Sequence, residues 1–282
     1  MASWDQLDPV VAAHSAPPPC FVEVGGVRTH RPDWVLLSSL LAAVFPATAG
    51  RGWDSVAIGH ALDLWLAEEL RRCGFGTDEV WPRASDPRVL PRELAVLMPM
   101  LARKGMSLGR FTSIVLSEAR VLGATYEKEV DVLMSRWETG PQLIVSTKSM
   151  LGAYGKNANN RMEEAYGDAH NLRGRFPLAA LGYLLLLGAD CPRTAFERLA
   201  AAMVRMQDSG TMYDRTCLIV VEPIDRFVAR RRRPVRVYPR AVARLVPGGS
   251  RPRAARFVDG MVRCVLERTP PSYHEAVRVR FY

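Results

Sequence analysis

The stretch "QLIVSTKSM", residues 142–150, decides how the rest of the chain is read. Ile144, Val145 and Thr147 are β-branched and favour a pleated strand, and Gly140–Pro141 breaks whatever precedes it. Side chains two apart on a strand share a face. Ser146 and Lys148 therefore point the same way with Ile144 behind them, while Val145 and Thr147 face the opposite side. The segment "NANNRMEEAYGDAHNLRG" that follows predicts a helix over 157–174. Ala158, Met162, Ala165, Ala169 and Leu172 form its apolar stripe, which should pack on the sheet. Asn157, Arg161, Glu164 and Asp168 run along one edge of that stripe, and Glu163 points away. A helix packed this way carries the Glu164 carboxylate to the rim where Lys148 projects.

Downstream, Leu178–Leu187 reads as a buried strand or a short helix, which periodicity does not separate. A helix over 193–207, a strand "TCLIVVEP" and a helix around "ARFVDGMVRCVLE" follow. The first hundred residues read as mostly helical. "DWVLLSSLLAAVF" begins at the N-cap candidate Asp33, and "WDSVAIGHALDLWLAEELRRCG" ends near Gly74. After a Pro-punctuated link over 81–91, helices are expected at "RELAVLMPMLARKG" and over 107–123. Residues 125–138 fit two templates. Tyr126, Val130, Leu133, Met134 and Trp137 match a helical stripe, yet "YEKEVDVLM" also draws as a strand with Glu127, Glu129 and Asp131 on one side; periodicity favours the helix. The sum is an α/β chain with a central sheet.

At 48% hydrophobic and 24% charged, the composition is that of a globular protein. No apolar run approaches the roughly 20 residues that span a bilayer, and the N-terminus lacks the basic flank of a secretory signal. Both point to the cytoplasm and away from a membrane. The five cysteines are scattered without CxxC spacing, so they read as buried thiols, neither a zinc site nor a disulfide frame. His14, His30, His60 and His274 show no ligand spacing either. No Gly-rich phosphate loop appears in a strand–turn–helix context, which argues against a nucleotide cofactor, and no serine-hydrolase elbow is present. The net charge is +9, with only four lysines among 38 basic residues. Eleven arginines and no acid lie between Arg226 and Arg256. That tract is either the footprint of a phosphate-backbone binder or a solvated arm.

A lysine beside carboxylates at a sheet edge suits metal-assisted phosphodiester cleavage. The acids would hold Mg²⁺, with Mn²⁺ as a substitute, and the lysine would position or deprotonate the attacking water. The order of elements over roughly residues 107–190 resembles the PD-(D/E)XK nuclease superfamily, to which most restriction endonucleases belong. In that pattern the residue two before the lysine is acidic, whereas Ser146 stands there. One subgroup of restriction enzymes is similar in this respect, with a serine at that place and the displaced acid on the next helix. Glu164 matches that acid, and Glu163 matches it less well. Asp131, 17 residues before Lys148, corresponds to the first acid, with Val130 in place of the usual proline.

The resemblance implies a restriction-endonuclease-like core, a central mixed sheet flanked by helices, over 106–225. A helical N-terminal region over 1–105 would serve recognition or dimerisation, and an Arg-rich segment over 226–282 would pack on the core. It implies Lys148, Ser146, Glu164 and Asp131 as catalytic residues, and Asp131, Glu164, Glu163 and Glu127 as metal ligands. Glu118 is a further fallback ligand. Lys156, Asn157, Asn160, Arg161, Arg230, Arg231, Arg232 and Arg233 would contact DNA. The expected activity is Mg²⁺-dependent cleavage of double-stranded DNA by a homodimer. The alternative is a DNA-binding or regulatory protein whose nuclease fold is degenerate.

Overall fold

The computed structural model describes residues 3–48, 54–84, 86–106, 118–221, 240–241 and 254–282. The side chains of residues 3, 45–48, 156, 240–241 and 254–255 also lie outside the description. Helix α1 (Ser3–Ala13) is followed by a hairpin, β1 (Phe21–Val24) and β2 (Val27–His30). Gly25 and Gly26, at φ +59° and +76°, make its two-residue turn, which is why the sequence carries a glycine pair there. Helices α2 (Trp34–Thr48) and α3 (Ser55–Arg72) come next. Asp33 Oδ1 accepts from Leu36 N at the start of α2, and Asp54 caps α3 through Val56 N and Ala57 N. A two-residue strand β3 (Val80–Trp81) and short helices α4 (Arg92–Ala95) and α5 (Met98–Arg103) complete the first third.

Strands β4 (Ala119–Leu122) and β5 (Glu127–Val130) form a second hairpin. Then come β6 (Val132–Arg136), β7 (Gly140–Met150), α6 (Tyr154–Arg175), β8 (Ala180–Gly188), α7 (Arg193–Asp208) and β9 (Arg215–Val221). The chain closes with β10 (Arg240–Ala241), α8 (Ala254–Arg268) and α9 (Glu275–Phe281). Six strands make one mixed sheet in the order β10-β9-β8-β7-β6-β3. β7–β8 and β8–β9 are parallel; the other pairs are antiparallel.

Leu143 and Val145 of β7 pack on the layer built by α2, α3 and α8, and Ile144 packs on the layer of α6 and α7. β8 is covered on both faces along its whole length. A run buried on both sides of a parallel sheet is apolar throughout, so "ALGYLLLLG" carries no alternation to read. Its two possible assignments resolve to strand. β3, from the first 105 residues, is an edge of this sheet, and one hydrophobic cluster runs from Leu7 to Phe281. No helix of the described residues is long and apolar enough to cross a membrane.

The helix expected over 125–138 is instead β5, a one-residue bend at Asp131, and β6. Tyr126 and Trp137, which the helical stripe would have buried, are 44% and 66% exposed. Val132, Leu133 and Met134 are buried in succession, as happens in a strand covered on both faces. The end of the helix expected over 107–123 is likewise strand, β4; residues 107–117 lie outside the description. Arg230, Arg231, Arg232 and Arg233, with nearly all of the basic tract, also lie outside it.

Asn171 of α6 fixes the β4–β5 hairpin. Its Oδ1 accepts from Thr125 N at 2.8 Å, Thr125 Oγ1 at 3.0 Å and Tyr126 N at 3.2 Å, and its Nδ2 donates to Tyr126 O. The fit is close enough that a Cβ at Gly123 would lie 2.2 Å from Asn171 Nδ2. Asn171→Ala strands several buried polar groups and should cost about 2–3 kcal/mol. Urea denaturation should show a lowered midpoint with unchanged slope; a midpoint equal to that of the parent would refute this role.

Candidate functional site

Lys148 stands near the C-terminal end of β7, where β6 has already ended. Its register partner on the parallel side is Leu185. On the antiparallel side β6 begins at Val132 opposite Val145, so Asp131 sits just beyond the last paired residue. Its side chain continues the pairing: Oδ2 accepts from Thr147 N at 2.8 Å and from Lys148 Nζ at 3.3 Å. Glu164, on α6, places Oε1 4.0 Å from the same ammonium while Oε2 takes a 2.8 Å hydrogen bond from Arg161. The structure thus brings together Lys148, Asp131, Glu164 and Arg161 on one rim.

These four side chains line a cavity of about 260 Å³, together with His60, Asp63, Glu118, Glu129, Thr147 and Ser149, among others. Asp63 comes from α3, on the other side of the sheet, and accepts a hydrogen bond from Thr147 Oγ1. Alternation along β7 explains how one strand serves both sides: Lys148 faces the α6 layer, and Thr147 faces α3. Five carboxylates (Asp63, Glu118, Glu129, Asp131 and Glu164) confront two fixed cations, Lys148 and Arg161.

The titration of these acids reflects that crowding. Burial pushes the Asp63 carboxyl well above the usual range, and the charge of Asp131 pushes it further. Burial also raises Asp131, although Lys148 and the Thr147 amide oppose the shift. Glu129 is raised by desolvation and by neighbouring Glu118 and Asp131. For Glu164 burial works upward, but Arg161, Lys148 and Lys128 outweigh it and hold the carboxyl below the usual range. Burial lowers His60, whose ring stacks on Trp4 with centroids 4.2 Å apart. Carboxylates that resist ionising beside one another are stabilised by a cation.

The donor set fits a hard divalent ion. Mg²⁺ takes oxygen ligands, keeps several waters and needs only one or two carboxylates from the protein. Asp131, with Glu164 or Asp63, could supply them at the cavity wall. The acids frame the space without converging on a point, because Lys148 Nζ stands between Asp131 and Glu164.

Several residues expected at the site lie elsewhere. Ser146 is 2% exposed and does not line the cavity. It lies two residues deeper in the strand, about 6.6 Å along it, opposite Tyr183 of β8, and its Oγ has no hydrogen-bond partner among the described residues. Glu163 is exposed on the solvent side of α6. Glu127 shares a strand face with Glu129 but does not line the cavity, and it pairs with Arg120 at 3.1 Å. Asn157 is partly buried and Asn160 is exposed; neither reaches the cavity, and the Lys156 side chain lies outside the description. Asp168 is a strut, accepting from Tyr126 Oη and pairing with Lys128 at 2.7 Å.

Comparison with family models, curated proteins and solved structures gave no match. The case for this site therefore rests on its own geometry. Sequence reasoning missed Asp63, His60 and Glu129. The signal for Asp63 was an acid inside the apolar run "ALDLWLA", and His60 lies three residues before it on the same helix face.

The sign of the Asp63 shift has a measurable consequence. The folded-state carboxyl is raised above its ordinary value of 3.8. Stability contributed by the protonated form is therefore fully present below that value and is lost as pH rises through the folded one. At neutral pH in chelator, Asp63→Asn should raise the melting temperature by about 2–4 °C. Mg²⁺ should then stabilise the parent chain more than the variant. A variant that melts lower than the parent in chelator would contradict the repulsion described here.

Proposed function

We propose that the chain is a Mg²⁺-dependent endonuclease of restriction type acting on double-stranded DNA. The observation that carries this reading is the Lys148 ammonium held 3.3 Å from Asp131 and 4.0 Å from Glu164 at the mouth of an acid-lined cavity. The restriction-endonuclease-like core belongs to the same proposal. Its support is the sequence of β6, β7, α6 and β8, with the acid at the bend just before β6 and the lysine on the antiparallel neighbour β7.

In this reading, a bound divalent ion would draw charge from a phosphate oxygen and from a water ligand. Asp131 and Glu164 would hold it, with Asp63 behind them. Lys148 Nζ holds the attacking water or the non-bridging oxygens as the new P–O bond forms and the P–O bond to the leaving sugar breaks. The attacking water gives its proton to solvent, and the leaving alkoxide takes one from solvent. Arg161, tied to Glu164 at the cavity, would contact a backbone phosphate of the substrate. The net charge of +9 supports a polyanionic substrate, since the acids at the cavity would otherwise repel it. Duplex cleavage requires two such sites, hence a homodimer.

Lys148→Ala should lower cleavage of plasmid DNA at saturating Mg²⁺ at least about 10²-fold. DNA affinity, measured with Ca²⁺ in place of Mg²⁺, should change by less than about threefold. Retained cleavage would sink the assignment of Lys148. Asp131→Asn should abolish cleavage and also remove the Mg²⁺-induced rise in melting temperature.

The second reading, a DNA-binding or regulatory protein with a degenerate nuclease fold, is favoured by Ser146, a serine where the motif has an acid, buried outside the cavity. That protein would bind duplex DNA with an affinity that falls steeply with salt. It would leave modified and unmodified DNA uncut in Mg²⁺ and Mn²⁺.

A further inference from the structure

Away from the cavity, at the far end of α3, three soft ligands meet. Cys20 precedes β1, His30 ends β2 and Cys73 caps the C-terminus of α3. One atom from each lies within 4.8 Å of the other two, and among the described residues no other His, Cys, Asp or Glu group of three or more does this. We propose that Cys20, His30 and Cys73 form a structural zinc site that clamps the β1–β2 hairpin to α3.

The donor chemistry selects the metal. Two thiolates and an imidazole suit zinc and are foreign to the oxygen-seeking Mg²⁺ proposed for the cavity. Binding to the two thiols releases protons and leaves a neutral Zn(Cys)₂(His) unit, an acceptable charge state for buried side chains. The sulfurs stand 2.8 Å apart. Two sulfurs on one tetrahedral zinc, each about 2.3 Å from it, stand about 3.8 Å apart. A displacement of about 1 Å, shared between a loop and a helix end, separates the two arrangements. Cys20 is half-buried, and a fourth ligand, supplied by water, would complete the tetrahedron.

The surroundings of His30 point the same way. The residue is 1% exposed, and neither of its ring nitrogens makes a well-aligned hydrogen bond. Nε2 lies 2.7 Å from Glu69 Oε2, leaving Nδ1 for the sulfur side. A metal-bound histidine commonly gives its other N–H to a carboxylate, which fixes the ring. Glu69 is fully buried and is itself fixed by Asp33 N at 2.9 Å and by Arg72 at 2.7 Å to both oxygens. Arg72 also donates to Pro18 O and Arg31 O, tying both ligand-bearing segments to the helix that carries Cys73.

The test uses the full chain and needs no nuclease activity. Protein purified without chelator should carry one zinc per chain by elemental analysis, released in step with mercurial titration of its thiols. After stripping, Co²⁺ should give the visible bands of a tetrahedral ion and a near-ultraviolet thiolate charge-transfer band. Cys73→Ser should lose the zinc, while Asp131→Asn, at the other site, should retain it. If Cys73→Ser proves insoluble, the cobalt spectrum of the parent chain decides. Three results would each overturn the proposal: metal-free protein with five titratable thiols, a Cys20–Cys73 disulfide with three, or a cobalt spectrum without thiolate charge transfer.

Discussion

Everything at the cavity turns on the Asp131 carboxylate. Where β6 stops pairing with β7, this side chain takes the place of a backbone acceptor and receives the Thr147 amide. The same oxygen holds the Lys148 ammonium. One side chain therefore ends the ladder, orients the lysine and contributes negative charge to the cavity wall. The cost is visible in its own titration, raised by burial despite two partners. Carboxylates perturbed in this way cluster at functional sites.

The sheet makes this possible by separating two layers of helix while letting one strand speak to both. Lys148 meets Glu164 from α6, and its neighbour Thr147 meets Asp63 from α3. The acids thus arrive from opposite sides of the sheet at its edge. The hairpin bearing Glu129 and leading to Asp131 is held against α6 by Asn171, Tyr126 and Asp168, none of which lines the cavity. α3 is the shared beam: Asp63 and His60 at mid-length face the cavity, and Cys73 at its end meets Cys20 and His30. A metal at that end would stiffen the helix that presents the buried acid.

Local pattern carried some of this and tertiary contact carried the rest. The strand over 142–150 and the helix after it were legible, because a β-branched run after Gly-Pro and an apolar stripe with alanines leave few alternatives. The juxtaposition of Lys148 with Glu164 followed from those two elements and the two-residue period of a strand. Residues 125–138 misled because five apolar positions matched a helical stripe by coincidence. The deciding fact was that β6 is covered on both faces, which no single segment announces. Ser146 followed the same period as Lys148 yet lies under α6, since depth along a strand depends on what covers it.

By itself, the sequence determined the α/β class, the strand that bears the lysine and the helix face that bears Glu164. These depend on periodicities of two and of 3.6 residues, which are properties of a short segment. Only the tertiary structure decided that Asp63 joins Asp131 and that Glu127 and Glu163 do not. It also decided that Cys20, His30 and Cys73, far apart in the chain and without ligand spacing, share one point. Those outcomes depend on which segments a folded core brings into contact, and burial alone turns an ordinary acid or thiol into a group that needs a partner.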